Sequence, residues 1–339
     1  MRSTSEGPSC TAAHQSSAPV RRRLRAIVAV LAGFTLTLAA CSSGSGSDAA
    51  TDTTAKRTTS TSTATTTTTD PAEAEDLLAQ RPVEVHVPPN YEEGTPAPLL
   101  ILLHGFGAGG QIQEAYFSLT KPADAAGMLY VQPDGTTNAR GKQFWNATDA
   151  CCAGPGSNVD DAAYLKAVID SVSADYDVDP KRIFLVGHSN GGFMAYRMAC
   201  DHADTVAAVV SVAGATNADT DACDPSEPVP TLEIHGRSDT TILYDGGKTA
   251  LGSYPSAPET VETWAAYNGC ATTPDAESTP ATRDLVQDLP PAVVTTYSEG
   301  CDPGGHAELW SQDEGVHIPA WSPTFPQQVI DWLQEHPKT

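Results

Sequence analysis

The stretch that decides the fold is Ile183-Phe184-Leu185-Val186-Gly187-His188-Ser189-Asn190-Gly191-Gly192. Four apolar residues are typical of a buried strand, and the residues from 190 to 199 are a helix candidate. Ser189 lies between them in a Gly-x-Ser-x-Gly pattern, whose glycines permit a sharp turn that leaves the serine hydroxyl projecting. The pattern alone is common by chance, and a tight turn with an incidental serine is the alternative. The flanking strand and helix favour an exposed, functional serine.

Strand and helix patterns alternate on both sides of this stretch. Apolar runs bounded by turn residues predict strands at 83–87, 99–103, 128–132, 183–186, 206–212, 231–234, 293–297 and 308–310. Spacings of three and four predict helices at 161–174, 190–199, 258–267 and 325–335. The run 99–103 is apolar throughout, as in a central strand covered on both faces. The sequence therefore predicts an α/β fold, with a mostly parallel central sheet flanked by helices on both faces.

The amino-terminal part has a different composition from this body. Arg21, Arg22, Arg23 and Arg25 precede an apolar run from 26 to 40, which is short for a transmembrane span and typical of a signal peptide. The Ser-, Gly- and Thr-rich stretch that follows has little apolar surface to bury. We predict a signal peptide at 1–40, a disordered tether at 41–71 and one folded domain at 72–339.

The end of the apolar run, Leu38-Ala39-Ala40-Cys41, resembles the lipobox of bacterial lipoproteins. The resemblance implies that Cys41 carries a lipid after cleavage, so that the membrane is a partner through this anchor. An ordinary secretory signal with an incidental cysteine is the alternative. The formal net charge of −23 argues against nucleic acid as a partner, because a negative surface repels a phosphate backbone.

A serine hydroxyl becomes a nucleophile when a histidine takes its proton and a carboxylate orients that histidine. In a strand-turn-helix context the partners are expected in the order Ser, Asp or Glu, His, after later strands. Asp239 follows the strand 231–234, with Asp245 as the alternative. His317 follows the strand 308–310 and is the predicted base. His306 precedes that strand and is the alternative.

Two backbone amides are expected to stabilise the negative charge that develops in such a reaction. The residue after the serine, Asn190, supplies one, and Phe106 supplies the other from the loop 104–107 after an early strand. Trp145 and His188 are weaker candidates for lining the substrate, although His188 is also interpreted as structural. No metal site and no cofactor are predicted.

The remaining cysteines are consistent with export. Six of them, Cys151, Cys152, Cys200, Cys223, Cys270 and Cys301, predict disulfides in an oxidising compartment. We expect Cys270 to pair with Cys301. Because a bond between the neighbours Cys151 and Cys152 closes a strained ring, we expect at least one of them to reach Cys200 or Cys223.

Several motifs occur in a fixed order along the chain. They are His104-Gly105-Phe106-Gly107, Phe144-Trp145-Asn146, the segment 149–152, Val159-Asp160-Asp161, the stretch 187–192, the segment 235–239 and Asn268-Gly269-Cys270. Together they resemble secreted polyhydroxybutyrate depolymerase-like esterases, a group that includes feruloyl and acetylxylan esterases and LpqC-type actinobacterial lipoproteins. The resemblance covers residue 83 to the end. It implies an α/β-hydrolase fold, a Ser-His-Asp triad and no cofactor. The family's Gly-Gly-His-x-Trp-Pro stretch is altered here around His317.

The sequence thus predicts an exported, lipid-anchored carboxylic ester hydrolase that works through an acyl-enzyme intermediate. Its expected substrates are short acyl or feruloyl-type esters or hydroxyalkanoate oligomers. One alternative is a true polyhydroxybutyrate or other polyester depolymerase. An alternative of a different class is a non-catalytic surface lipoprotein that binds a sugar or polymer.

Overall fold

The computed structural model describes residues 70–154, 157–276 and 281–339. The predicted signal peptide, Cys41 and nearly all of the predicted tether lie outside the described residues. In the described ranges no helix has the length and apolar character needed to cross a bilayer.

Thirteen strands are present in these ranges: β1 (Val85–His86), β2 (Ala97–Leu103), β3 (Leu129–Val131), β4 (Thr136–Thr137), β5 (Gln143–Phe144), β6 (Val178–His188), β7 (Ala208–Val212), β8 (Thr231–Gly236), β9 (Gly247–Lys248), β10 (Ser253–Tyr254), β11 (Thr282–Arg283), β12 (Ala292–Tyr297) and β13 (Ala307–Gln312). The α-helices of the same ranges are α1 (Pro71–Gln80), α2 (Gly110–Phe117), α3 (Thr120–Ala125), α4 (Asp161–Asp175), α5 (Asn190–Asp201), α6 (Ala257–Tyr267) and α7 (Phe325–Glu335).

Nine strands form one sheet in the order β1-β3-β2-β6-β7-β8-β13-β12-β11. Six consecutive strands of this order run parallel, namely β3, β2, β6, β7, β8 and β13. Strands β1, β11 and β12 run antiparallel to their neighbours. Because parallel strands end at one edge, the chain leaves β2, β6, β8 and β13 at the same edge of the sheet, with β7 between β6 and β8. Leu103 pairs with Gly187, and Gly236 pairs with Gln312, at this edge. The loops that follow these four strands therefore meet there.

The alternation of side chains along β2 shows how the two faces of the sheet are covered. Leu99, Ile101 and Leu103 belong to the core formed with α4, α5 and α6. Leu100 and Leu102 belong to a second core with α2, α3 and α7. All five are fully buried, and each such side chain stabilises the fold by about 2 kcal/mol. The predicted mostly parallel sheet with helices on both faces is confirmed.

The predicted elements differ from the observed ones mainly in length. The predicted strand 83–87 is reduced to the two residues of β1, and the predicted strand 183–186 lies within the longer β6. The four predicted helices are present as α4 to α7, whereas α1, α2 and α3 were not predicted. These three helices have ten, eight and six residues, so they show little periodicity.

Of the two predicted disulfide pairings, one is confirmed and the other is wrong. Cys270 is joined to Cys301, as predicted. The expectation that Cys151 or Cys152 reaches Cys200 or Cys223 is wrong, because the neighbours are bonded to each other and Cys200 is bonded to Cys223. The tertiary structure explains the second bond. The end of α5 and the loop after β7 bring the Cα atoms of Cys200 and Cys223 to 5.7 Å, the usual separation for a disulfide.

Candidate active site

Ser189 stands between the end of β6 and the first residue of α5. Its backbone has φ 55° and ψ −119°, a conformation that residues with a side chain adopt only under strain. A Cβ atom at Gly187 would collide with the carbonyl of Gly191, and one at Gly191 would collide with the carbonyl of Leu103. Glycine at both positions therefore lets the helix start directly against the ends of two strands, with Ser189 partly exposed at the turn.

His317 connects Ser189 with Asp239. Its Nε2 lies 3.0 Å from Ser189 Oγ, and its Nδ1 lies 2.6 Å from Asp239 Oδ2. The other carboxylate oxygen, Oδ1, accepts hydrogen bonds from the backbone amides of Thr241 at 2.7 Å and Ile242 at 3.0 Å. An ionised carboxylate can only accept, so Nδ1 of His317 carries the hydrogen and Nε2 offers its lone pair to the serine hydroxyl.

The environment of Asp239 keeps its carboxylate charged. Burial acts to raise the pKa of Asp239, but the nearby His235 ring and hydrogen bonds from His317 and the Thr241 amide outweigh it and hold that pKa well below its usual range. Asp245, the alternative from the sequence, is exposed to solvent. The structure therefore brings Asp239, and not Asp245, to His317.

The alternative histidine lies at the opposite end of β13. His306 precedes that strand, and its Nε2 is 3.0 Å from Glu308 Oε2. The ring of His336 packs against His306 at a tilt of 45°, with centroids 4.4 Å apart. His317 follows the carboxyl end of the same strand, which is the edge that carries Ser189. Of the downstream histidines, the structure brings only His317 to the serine.

The loop after β2 is held by buried hydrogen bonds. Nε2 of His104 accepts from the Gly135 amide at 2.8 Å, so Nδ1 carries the hydrogen and donates to the Gly105 carbonyl at 2.9 Å. Burial lowers the pKa of His104, which keeps the ring neutral for this pattern. The Gly105 amide donates to Oε1 of Gln113 at 3.2 Å. His104 is thus a structural residue, and it fixes the loop that contains Phe106.

The amides of Phe106 and Asn190 are available for a ligand at this edge. In the described part of the chain the Phe106 amide has no hydrogen-bond acceptor. Asn190 is the first residue of α5, and the first amides of a helix have no acceptor within it. The buried Asn190 side chain bonds both the amide and the carbonyl of Trp145, at 2.7 Å and 2.9 Å. These bonds fasten the segment after β5 to the start of the helix.

The side chains of Trp145 and His188, the predicted substrate-lining residues, are both buried. The side chain of Trp145 has no exposed surface, and its Nε1 donates to the His104 carbonyl at 3.0 Å. His188 is also buried, with Nε2 donating to the carbonyl of His317 at 3.0 Å. Both side chains pack below the loops of the site, which does not favour the prediction that they line substrate. The structural interpretation of His188 agrees with these contacts.

Exposed apolar side chains lie beside the serine instead. Phe106 is half exposed, and Val316 and Ile318 on the two sides of His317 are 51% and 64% exposed. The sequence reasoning missed Val316 and Ile318, although apolar residues on both sides of a loop histidine were a signal. Tyr116 of α2 donates to the Pro319 carbonyl at 3.0 Å, which ties this loop to the helix that follows the Phe106 loop. The arrangement can accept an apolar group next to Ser189.

Comparison with known families matches residues 75–327 to the family model named Esterase, described as "Putative esterase". The match covers well over half of the chain.

The chain belongs to this esterase family. The predicted esterase is thereby confirmed at the level of the family. The chain is similar to "Putative esterase NocK" from Nocardia uniformis subsp. tsuyamanensis, with 32% identity over 54% of this chain and 55% of that protein. It is similar to feruloyl esterase B from Piromyces equi, with 28% identity over 67% of this chain and 43% of that protein. The chain thus spans about half the length of the curated relatives it matches.

A solved structure supports the fold of this esterase-family chain. The acetyl xylan esterase from Aspergillus awamori superposes with a TM-score of 0.52 and 15% identity, covering 74% of this chain and 93% of that one. At this identity the likeness concerns the fold alone. Together with the strand order, it confirms the predicted α/β-hydrolase fold.

Proposed function

We propose that the protein is a serine carboxylic ester hydrolase with Ser189 as nucleophile, His317 as general base and acid, and Asp239 as the residue that orients His317. The observation that carries this proposal is the continuous chain of contacts from Ser189 Oγ to His317 to Asp239, at 3.0 Å and 2.6 Å. These distances lie in the range over which a side chain removes a proton.

In the first half of the reaction, Ser189 Oγ attacks the ester carbonyl carbon while its proton passes to Nε2 of His317. The carbonyl oxygen takes up the negative charge, and the amides of Phe106 and Asn190 donate to it. Asp239 stabilises the imidazolium that forms. His317 then gives its proton to the departing alcohol, the bond from carbon to alcohol oxygen breaks, and an acyl group remains on Ser189.

In the second half, water takes the place of the alcohol. His317 removes a proton from the water as its oxygen attacks the acyl carbon, and the same amides hold the charge. When the bond to Ser189 Oγ breaks, His317 returns the proton to the serine, and the acid is released. The residues of the site are unchanged after one turnover, so no cofactor enters the scheme.

The proposed substrates are neutral esters with a short acyl or feruloyl-type group. The name of the Piromyces relative supports the feruloyl class, and the exposed apolar surface of Phe106, Val316 and Ile318 suits an aromatic or aliphatic acyl group. The same apolar surface favours a second candidate, hydrolysis of hydroxyalkanoate oligomers or polyester. Clearing of a polyhydroxybutyrate film with little activity on small esters supports that second candidate.

The proposed location is outside the cytoplasm, with a lipid on Cys41. The disulfides Cys200–Cys223 and Cys270–Cys301 support an oxidising compartment. The lipobox-like stretch before Cys41 supports the anchor. The mass of the mature amino-terminal peptide tests it: a diacylglycerol-modified Cys41 is expected, and an unmodified peptide from membranes contradicts it.

Hydrolysis of a chromogenic short acyl ester tests the proposed function. Ser189→Ala is expected to lower kcat roughly 10⁵- to 10⁶-fold, because the nucleophile is lost and only the amides and binding remain. A serine-directed phosphonate is expected to label the wild type and not this variant. Ser173→Ala is the control, because that serine lies on α4 and bonds the Ile169 carbonyl. Wild-type turnover by Ser189→Ala contradicts the proposal.

A further inference from the structure

Strand β8 carries two ionisable side chains inside the protein. Glu233 and His235 are two residues apart, so they point to the same face of the sheet, while Leu232 and Ile234 enter the opposite core. Glu233 has no exposed surface and His235 has 1%. Burying such groups costs free energy unless each is paired and hydrogen-bonded. Both side chains therefore need hydrogen-bond partners inside the protein.

Both nitrogens of His235 have partners. Nε2 lies 2.9 Å from the carbonyl oxygen of Ile242, which can only accept, so Nε2 carries a hydrogen. Nδ1 lies 2.9 Å from Oε1 of Glu233. The same Nε2 is 3.6 Å from Oδ2 of Asp239, the oxygen that faces His317. The ring thus spans the distance between a buried glutamate and the carboxylate of the site.

Glu233 is surrounded by donors. Besides His235, the Gly214 amide donates to its Oε1 at 3.2 Å and the Tyr196 hydroxyl donates to its Oε2 at 3.1 Å. Burial raises the pKa of Glu233, but three donors suit an ionised carboxylate. An ionised Glu233 leaves the hydrogen of Nδ1 on the His235 ring and gives that ring a positive charge. Burial opposes this charge, but Asp239 and Glu233 outweigh burial and raise the pKa of His235 to about 9.

We propose that His235 is a positioning residue of the active site, which holds the turn of Asp239 to Ile242 and supplies a positive charge behind the Asp239 carboxylate. This inference rests on the proposed function. In the described residues the ring nitrogens of His235 contact Glu233, Ile242 and Asp239 and not Ser189, so His235 acts through Asp239. Glu233 anchors the ring from the other side and balances its charge inside the protein.

The positive charge has a consequence for the pH dependence of the reaction. A positive charge on His235 contributes to the electrostatic potential around Asp239, so the pH profile of kcat/KM is expected to move when a neutral residue replaces it. The ionisable groups that face His235 come from its own strand, the following loop, α5, β6 and the loop after β13. Glu233, Asp239 and Tyr244 contact the His235 ring. Tyr196 bonds Glu233, His317 bonds Asp239, and the charge of His235 acts on His188.

His188 offers a matched control. It is buried like His235, and its ring lies 5.0 Å from the ring of His317. Burial, with the nearby charge of His317, lowers the pKa of His188 to about 4, so its ring is neutral where the enzyme works. Replacing His188 changes packing beside the site without removing a charge.

The experiment compares kcat/KM between pH 5 and 9 for the wild type, His235→Gln and His188→Gln. His235→Gln is expected to move the acid limb upward by about one pH unit and to lower kcat roughly 10- to 100-fold with little change in KM, because Asp239 loses its support. His188→Gln is expected to leave the position of the acid limb unchanged. An acid limb of His235→Gln that coincides with the wild type overturns the proposal, whereas a wild type without turnover overturns the proposed function instead.

A second measurement uses the wild-type protein and does not depend on the folding of any variant. In protein labelled with ¹⁵N-histidine, both ring nitrogens of His235, assigned through contacts with Glu233 and Ile242, are expected to carry protons at pH 7.5. A neutral ring at that pH overturns the proposal, independently of any ester assay.

Discussion

Strand β13 has a pair of a histidine and a carboxylate at each end. At its amino end, His306 Nε2 is 3.0 Å from Glu308. At its carboxyl end, His317 Nδ1 is 2.6 Å from Asp239. The two pairs have the same chemical groups at similar distances. Only the second has a hydroxyl, Ser189 Oγ, at the other ring nitrogen.

The two histidine–carboxylate pairs differ in their surroundings. Glu308 also accepts hydrogen bonds from the indole nitrogens of Trp310 and Trp332 under α7, and the His336 ring covers His306. These aromatic groups pack around the His306–Glu308 pair. At the other end, parallel strands leave loops, a helix start and free amides around His317. The comparison teaches that a histidine–carboxylate pair is suited to catalysis when the other ring nitrogen of the histidine reaches a reactive group.

The largest expected difference concerns the two histidines. His317→Ala is expected to lower kcat on a chromogenic ester roughly 10⁵-fold or more, because no base remains for Ser189. His306→Ala is expected to keep kcat within about twofold, since its pair lies at the opposite edge. Steady-state kinetics of both variants at pH 8 measure the difference. The reverse result moves the base to His306.

The two carboxylates give the next difference. Asp239→Asn is expected to lower kcat about 10⁴-fold, because the amide donates toward His317 Nδ1 and favours the wrong tautomer. Glu308→Gln is expected to leave kcat unchanged and to reduce the free energy of unfolding by about 1–3 kcal/mol, because a buried amide cannot accept from every donor around it. Kinetics and urea unfolding of both variants provide the test. Equal rate losses contradict the separation of roles.

The smallest effect concerns acid stability at the amino end of β13. Burial, with the charge of His306, lowers the pKa of His336 to about 4. As the pH falls below about 6.5, the unfolded chain binds a proton at His336 before the folded protein does. The free energy of unfolding therefore decreases between about pH 6.5 and 4. Between pH 7 and 5 the free energy of unfolding of His336→Gln is expected to decrease by about 1 kcal/mol less than that of the wild type. Urea unfolding at both values measures this, and identical losses refute it.

Local signals were sufficient for much of the fold. The long helices α4 to α7 and the central strands have strong apolar patterns, which are properties of neighbouring residues along the chain. Helix α2 was missed because its eight residues begin at a glycine without a side-chain cap. The disulfide of Cys200 was also outside the reach of local patterns, because its partner lies 23 residues away in a different loop.

The sequence by itself determined the strand, turn and helix around Ser189, because the glycines and apolar residues that form them are adjacent in the chain. It also determined the order of serine, aspartate and histidine after successive strands. Only the tertiary structure decided that Trp145 and His188 are buried, that Val316 and Ile318 are exposed, and that His235 reaches Asp239. Each of these facts depends on which strands are neighbours and how their loops pack, and neither is encoded in the spacing of residues along the chain.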